Sequence, residues 1–211
     1  LLGHGGDTPN DFTEGNSWQY TWHVLQNPGV FVELFGSREA FAKKLDALFK
    51  QPSKTDGQGF VLDVSGLIGQ YAHGNEPSHH VAYLFQYADE GWRTQELVRE
   101  ICDKMYKNAP EGLCGNDDCG QMSAWYIFAC MGFYPVNPCG GEYIFGAPQL
   151  PKMTVSLPGG KTFTIIARNF SKENLYVKRI LLNGKEVKGF KLSHADVVAG
   201  GELVYEMGNT K

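Results

Sequence analysis

The sequence predicts an α+β chain: helices over 1–135 forming part of an α/α barrel, then an antiparallel β-sheet or sandwich segment over 136–211. Three observations carry this. Apolar residues recur at helical spacing from Trp18 to about Gly132; after about Pro135 they alternate instead; and the helical stretches are joined by long Gly-rich loops at 51–62, 71–77 and 107–121.

Taken in order, Phe41, Leu45 and Leu48 lie at i, i+4, i+7 and form one stripe, with Ser37 as a plausible helix start. Ser78 to Ala88 carries Val81, Leu84, Phe85 and Ala88 on one helical face. Thr94 to Tyr106 repeats the pattern with Leu97, Ile101 and Met105, and Thr94 stands where an N-cap belongs. Met122 to Met131 is apolar nearly all round, which predicts a helix buried on more than one side. Five or six helices with loops gathered at one end make half of a twelve-helix toroid, so a further polypeptide segment is expected against the uncovered faces. Residues 152–157 and 161–167 alternate across Pro158-Gly159-Gly160, a hairpin signal. Tyr176 to Leu182 followed by Asn183-Gly184 is a stronger one, since Asn-Gly suits a type I′ turn. Residues 202–207 read as a last strand.

Composition narrows the function classes. With 42% hydrophobic and 20% charged residues the 211-residue chain is ordinary globular material. A net charge of −4 without any basic run argues against nucleic acid and against an anionic membrane surface. No apolar stretch approaches the roughly 18–20 residues of a membrane span. The first residues are polar and Gly-rich and do not resemble a signal peptide; the chain is expected to begin inside a longer protein. Its aromatics, 4 Trp, 10 Tyr and 13 Phe, fill cores and also suit sugar faces. Five cysteines (Cys102, Cys114, Cys119, Cys130, Cys139) show neither zinc-site spacing nor a CxxC pair; a Cys114–Cys119 bridge and buried free thiols both remain open. Asn169-Phe170-Ser171 is a glycosylation triplet of the kind that also arises by chance.

Three loops concentrate polar, acidic and aromatic residues, and long loops in compact domains are usually functional. They read Glu14-Gly15-Asn16-Ser17-Trp18-Gln19-Tyr20, Gly74-Asn75-Glu76-Pro77-Ser78-His79-His80, and Gly115-Asn116-Asp117-Asp118-Cys119-Gly120-Gln121-Met122-Ser123-Ala124-Trp125-Tyr126. Together with Met131-Gly132-Phe133-Tyr134-Pro135-Val136 they resemble the glycoside hydrolase family 92 α-mannosidases, in the right order and from about residue 11 to the end. The resemblance implies an N-terminal β-sandwich and an (α/α)6 barrel, of which this chain covers the second half plus the closing β-segment. It also implies inverting release of terminal α-linked mannose with a calcium ion touching the sugar, a mannose-containing glycan as substrate, the N-terminal portion of the same enzyme as partner, and an extracytoplasmic location.

Inverting hydrolysis needs an acid for the leaving oxygen and a base for water, roughly 6.5–9.5 Å apart. Glu14 is the expected acid, with Trp18 and Tyr20 placed to shield it. Asp118 is the expected base, with Asp117 second. Asn116 stands two before Asp118, where the family pattern often has an acidic residue, so any supporting carboxylate is replaced by an amide there. The alternatives are a helix-terminal carboxylate for Glu14 and caps of the helix near Gln121 for both aspartates. Asn75 and Glu76 are the oxygen-rich pair expected to hold Ca2+. His79 and His80 do not suit a shared ion, because adjacent helical residues point about 100° apart. Trp18 is the expected sugar platform, Trp125 is expected in the core, and Gln121, His73 and Asn116 are candidate substrate contacts. The rival reading is a non-catalytic carbohydrate-binding or assembly module.

Overall fold

The computed structural model describes residues 12, 14–54 and 64–211. Short helices α1 (Ser17–Tyr20) and α2 (Pro28–Glu33) lead into α3 (Arg38–Lys50). A small hairpin follows, β1 (Leu67–Ile68) with β2 (Tyr71–Ala72), its second strand inside the 71–77 stretch expected to be loop. Next come 3-10 turns at Glu76–Ser78 and Val81–Ala88, then α4 (Gly91–Met105) and α5 (Gln121–Met131). The β-part comprises β3 (Phe133–Tyr134), β4 (Glu142–Phe145), β5 (Lys152–Ser156), β6 (Thr162–Arg168), β7 (Tyr176–Leu182), β8 (Lys185–Glu186), β9 (Lys191–Ser193), helix α6 (His194–Ala199) and β10 (Gly201–Gly208).

Local signals explain most of these elements. The Ser37 hydroxyl accepts from Ala40 N at 3.1 Å and caps α3, whose Phe41, Leu45 and Leu48 are buried as the stripe predicts. The segment expected as an ordinary amphipathic helix at Ser78–Ala88 is instead a 3-10 helix over Val81–Ala88, with six of its eight residues buried. Three residues per turn align Val81 with Leu84 and Ala82 with Phe85 in separate rows, which suits a segment enclosed on several sides. Thr94 is no N-cap: α4 begins at Gly91, and the buried Thr94 hydroxyl donates to Ala82 O at 2.8 Å, pinning α4 to the 3-10 helix. The helix expected to be buried on more than one side, α5, buries Met122, Trp125, Ala129, Cys130 and Met131 but leaves Tyr126 38% and Ile127 51% exposed.

Both hairpins form as the turns predict. Ser156 pairs with Thr162 across Pro158-Gly159-Gly160. Leu182 pairs with Lys185 across Asn183 (φ 49°) and Gly184 (φ 78°), the two positive φ values of a type I′ turn. The five-stranded sheet runs β5-β6-β10-β7-β8. It is not purely antiparallel, because β10 returns from α6 to lie parallel to β6 while pairing antiparallel with β7. A second sheet, β3-β4-β9, links the helical and β-rich parts. One apolar core, including Trp22, Phe41, Leu45, Tyr83, Phe85, Ile101 and Trp125, fills the helical part; another, including Phe133, Phe145, Phe163, Leu203 and Tyr205, lies beneath the five-stranded sheet. The parts are tied by Gln86 Nε2 donating to Phe145 O at 2.6 Å and Val177 N donating to Gln95 Oε1 at 3.1 Å. No disulfide is present; all five cysteines are free. Among the described residues no helix is long and apolar enough to cross a membrane.

Candidate active site

The first motif loop is built around a helix start. Asn16 caps α1 by accepting from Trp18 N at 2.8 Å, and the Gln19 side chain reaches back to Asn16 N at 2.8 Å. Asn16 Nδ2 and Gln19 Nε2 then donate to Gln70, at its Oε1 (3.1 Å) and its backbone O (2.6 Å). A Cβ at Gly15 would lie 3.1 Å from the Tyr20 ring. Asn16, Gln19 and Gly15 are thus spent on folding the turn, while the Glu14 side chain stays exposed at its edge. The Glu14 carbonyl accepts from Asn75 Nδ2 at 3.1 Å, which attaches the first loop to the second.

The second and third loops meet through two glycines. A Cβ at Gly115 would lie 2.9 Å from Gly74 Cα and 2.9 Å from its carbonyl oxygen. With no side chain at Gly115 the backbones approach closely, and Asn75-Glu76 is brought beside Asn116-Asp117-Asp118. Past this contact Asp118 (φ 46°), Cys119 (φ 58°) and Gly120 (φ 94°) lie consecutively in the left-handed region. That reversal starts α5, and the two aspartates separate there. Asp117 Oδ1 accepts from Ser123 N and Ser123 Oγ, both at 2.9 Å, so its carboxylate is engaged at the helix start. Asp118 faces a cavity of about 620 Å³ together with Glu76, Gln121, His23, Phe128 and Tyr134.

Two carboxyls, those of Glu76 and Asp118, thereby line one cavity, while the exposed Glu14 stands outside its lining. Burial raises the Glu76 carboxyl above its ordinary value; a backbone hydrogen bond opposes this, and the adjoining Asp118 carboxyl and the charge of Glu14 reinforce it. Among the described residues Glu76 Oε1 is buried and has no hydrogen-bond partner. No three of His, Cys, Asp and Glu among the described residues converge as a metal-holding group. The orphaned Glu76 oxygen beside Asn75 is nonetheless donor chemistry that suits a hard, oxygen-seeking cation.

The remaining candidates divide. Gln121 lies on the cavity wall, its Nε2 3.1 Å from His79 Nδ1 and 3.3 Å from Tyr134 Oη. Asn116 is exposed on the third loop. Trp18 is half-buried outside the set that lines the cavity, and the Lys44 ammonium sits 4.3 Å over its ring. His73 is fully buried, with Nδ1 2.8 Å from Tyr71 Oη and Nε2 2.7 Å from Tyr106 Oη. Both His73 nitrogens are used within the protein, and burial holds its imidazole well below the usual range and neutral. Trp125 is in the core, its Nε1 donating to His79 O at 2.8 Å. Sequence reasoning missed Tyr134 and His23 as wall residues. Tyr134 carries a signal of its own, an aromatic held before Pro135 in the fourth matched stretch, whereas nothing local marks His23.

The chain as a whole is similar to solved proteins. A family GH92 α-mannosidase from Bacteroides thetaiotaomicron, in complex with mannoimidazole, superposes with a TM-score of 0.91 at 42% identity, covering 98% of this chain and 28% of that one. The family GH92 inverting mannosidase from Bacteroides thetaiotaomicron VPI-5482 gives a TM-score of 0.80 at 37% identity, covering 97% of this chain and 30% of that one. An uncharacterized secreted glycosidase of Arthroderma benhamiae is 28% identical over 198 residues, 92% of this chain and 23% of the relative. The chain therefore spans less than a third of the length of these relatives. The profile of the glycosyl hydrolase family 92 catalytic domain matches residues 4–209, and the chain belongs to that family.

Proposed function

We propose that the longer protein containing this chain hydrolyses terminal non-reducing α-linked mannose, α-1,2-linked in the first instance, from extracytoplasmic glycans with inversion. The observation that carries this reading is the placement of Glu76 and Asp118 on one cavity wall, with the Glu14 loop tied to the neighbouring Asn75, in a chain of this family. Two further points support it: one solved relative is an inverting mannosidase and another holds mannoimidazole.

In this reading Glu14 protonates the leaving oxygen and Asp118 takes the proton of the attacking water. Asp117 is the weaker candidate for the base, because capping α5 already occupies its carboxylate. Glu76 and Asn75 are the residues that would hold Ca2+, and Gln121 and Asn116 are the residues offered to sugar hydroxyls. Calcium held there would supply positive charge that eases the sugar ring toward the planar oxocarbenium shape. The chain's own residues do the rest: Asp118 orients water, and the Phe128 and Tyr134 rings on the same cavity exclude bulk water. Residues 1–135 belong to an (α/α)6 barrel completed by the rest of the protein, and 136–211 close it; the two apolar cores overlap at that boundary, the first taking in Val136 and Ile144 and the second Met131 and Phe133.

The test uses the full-length protein and α-1,2-mannobiose. Mannose release with calcium, lost in EDTA and regained on adding calcium, is expected. Glu14→Gln and Asp118→Asn should each slow turnover by about 10²–10⁴-fold. No release by the wild-type protein under either condition overturns the reading in favour of a binding or assembly role.

A further inference from the structure

We propose that His79 is a positioning residue that turns the Gln121 amide so that only its carbonyl oxygen faces the cavity, making this wall an acceptor for one sugar hydroxyl. The inference rests on the glycosidase reading above and adds a polarity to it.

Donors and acceptors run in a chain from His73 to the cavity wall. His79 Nε2 lies 2.9 Å from the His73 carbonyl oxygen, which can only accept, so the ring proton is on Nε2. Burial lowers the His79 imidazole to about 4, and at neutral pH it carries one ring proton only. Nδ1 is therefore bare and accepts. The atom facing it at 3.1 Å is then the amide nitrogen of Gln121, because a flipped amide would set one lone pair against another. The second amide hydrogen points to Tyr134 Oη at 3.3 Å. With both hydrogens used, Oε1 is the part of the Gln121 side chain without a protein partner among the described residues. Its residue lines the same cavity as Glu76 and Asp118.

The orientation is supported from behind. Tyr106 Oη donates to Met122 O at 3.0 Å, so it accepts from His73 Nε2, which leaves His73 Nδ1 to accept from Tyr71. His73, whose carbonyl sets the His79 tautomer, is thus held through its imidazole by two tyrosines, and Trp125 Nε1 fixes the His79 backbone at 2.8 Å. Adjacent histidines that look like a metal motif serve two backbones instead: His80 Nε2 donates to Trp22 O at 2.6 Å.

The experiment is kinetic, on the full-length protein, with an aryl α-mannoside and its 2-, 3-, 4- and 6-deoxy analogues. One deoxy analogue should lose about 10–100-fold in kcat/KM with the wild type and lose nothing further with Gln121→Ala. His79→Leu should abolish that same discrimination. His79→Asn, whose Oδ1 replaces the Nδ1 acceptor, should keep it. Equal penalties for every analogue in wild type and Gln121→Ala overturn the proposal, and that comparison decides even if a His79 variant does not fold. Failure of the wild type to cleave the parent mannoside overturns the glycosidase reading and this one with it.

Discussion

Asp117 and Asp118 are neighbours whose carboxyls meet different surroundings. Asp117 takes two hydrogen bonds from Ser123 at the start of α5, whereas Asp118, one residue later and in the left-handed region, opens onto the cavity. The two should separate experimentally. Asp117→Ala is expected to lower the stability of the full-length protein by about 1 kcal/mol through loss of the cap. Asp118→Ala should leave the melting temperature near wild type and remove turnover. Comparable melting with both variants, or turnover lost with Asp117→Ala alone, would reverse the assignment. The sequence made both aspartates visible as candidates, but not which of them the helix takes, because that choice depends on the φ of the intervening residues. His73 illustrates the same limit: a polar residue beside a motif looks available until two tyrosines from elsewhere, Tyr71 and Tyr106, occupy it.

Among the elements, those decided by adjacent residues were legible. The Ser37 cap, the α3 stripe and both hairpins follow from spacing and turn chemistry within about ten residues of chain. Elements decided by their enclosure were not. The 3-10 winding of Val81–Ala88 depends on α3 and α4 packing around it, and the parallel pairing of β10 with β6 depends on where α6 returns the chain. The loops that bear the site belong to the second group, because their contact runs through Gly74 and Gly115, 41 positions apart in sequence. Gly115→Ala should force them apart, costing about 1–3 kcal/mol of stability and lowering kcat/KM as Glu76 and Asp118 move. Unchanged stability and activity in that variant would mean that the contact is not needed to assemble the site.

At the scale of the molecule, the helical part carries its polar groups inside. His79 and His80 are both lowered to about 4 by burial. Such a group resists in the folded state the proton that the unfolded chain accepts near 6.5. Its contribution to stability is complete above that pH and declines as pH falls toward about 4, at up to about 1.4 kcal/mol per unit for each histidine. His80→Gln keeps a donor for Trp22 O and removes the titration. Urea midpoints of wild type and His80→Gln should therefore converge or cross between pH 6.5 and 4, with the wild type falling more steeply. Parallel curves would show that His80 takes up its proton in the folded state as readily as in the unfolded one. Carboxyl titrations, including that of Glu76, are common to both proteins and cancel.

By itself the sequence determined the order of helices before strands, the two tight turns and the three polar loops, since each depends on spacing and composition along a short stretch of chain. It also carried the family, through the resemblance of those loops, and the family profile matches residues 4–209. Only the tertiary structure decided which carboxyls share a site, which aspartate is consumed by a cap, and which way a glutamine amide faces. Those outcomes depend on donors and acceptors brought from distant segments, and a one-dimensional pattern does not record which segments will meet.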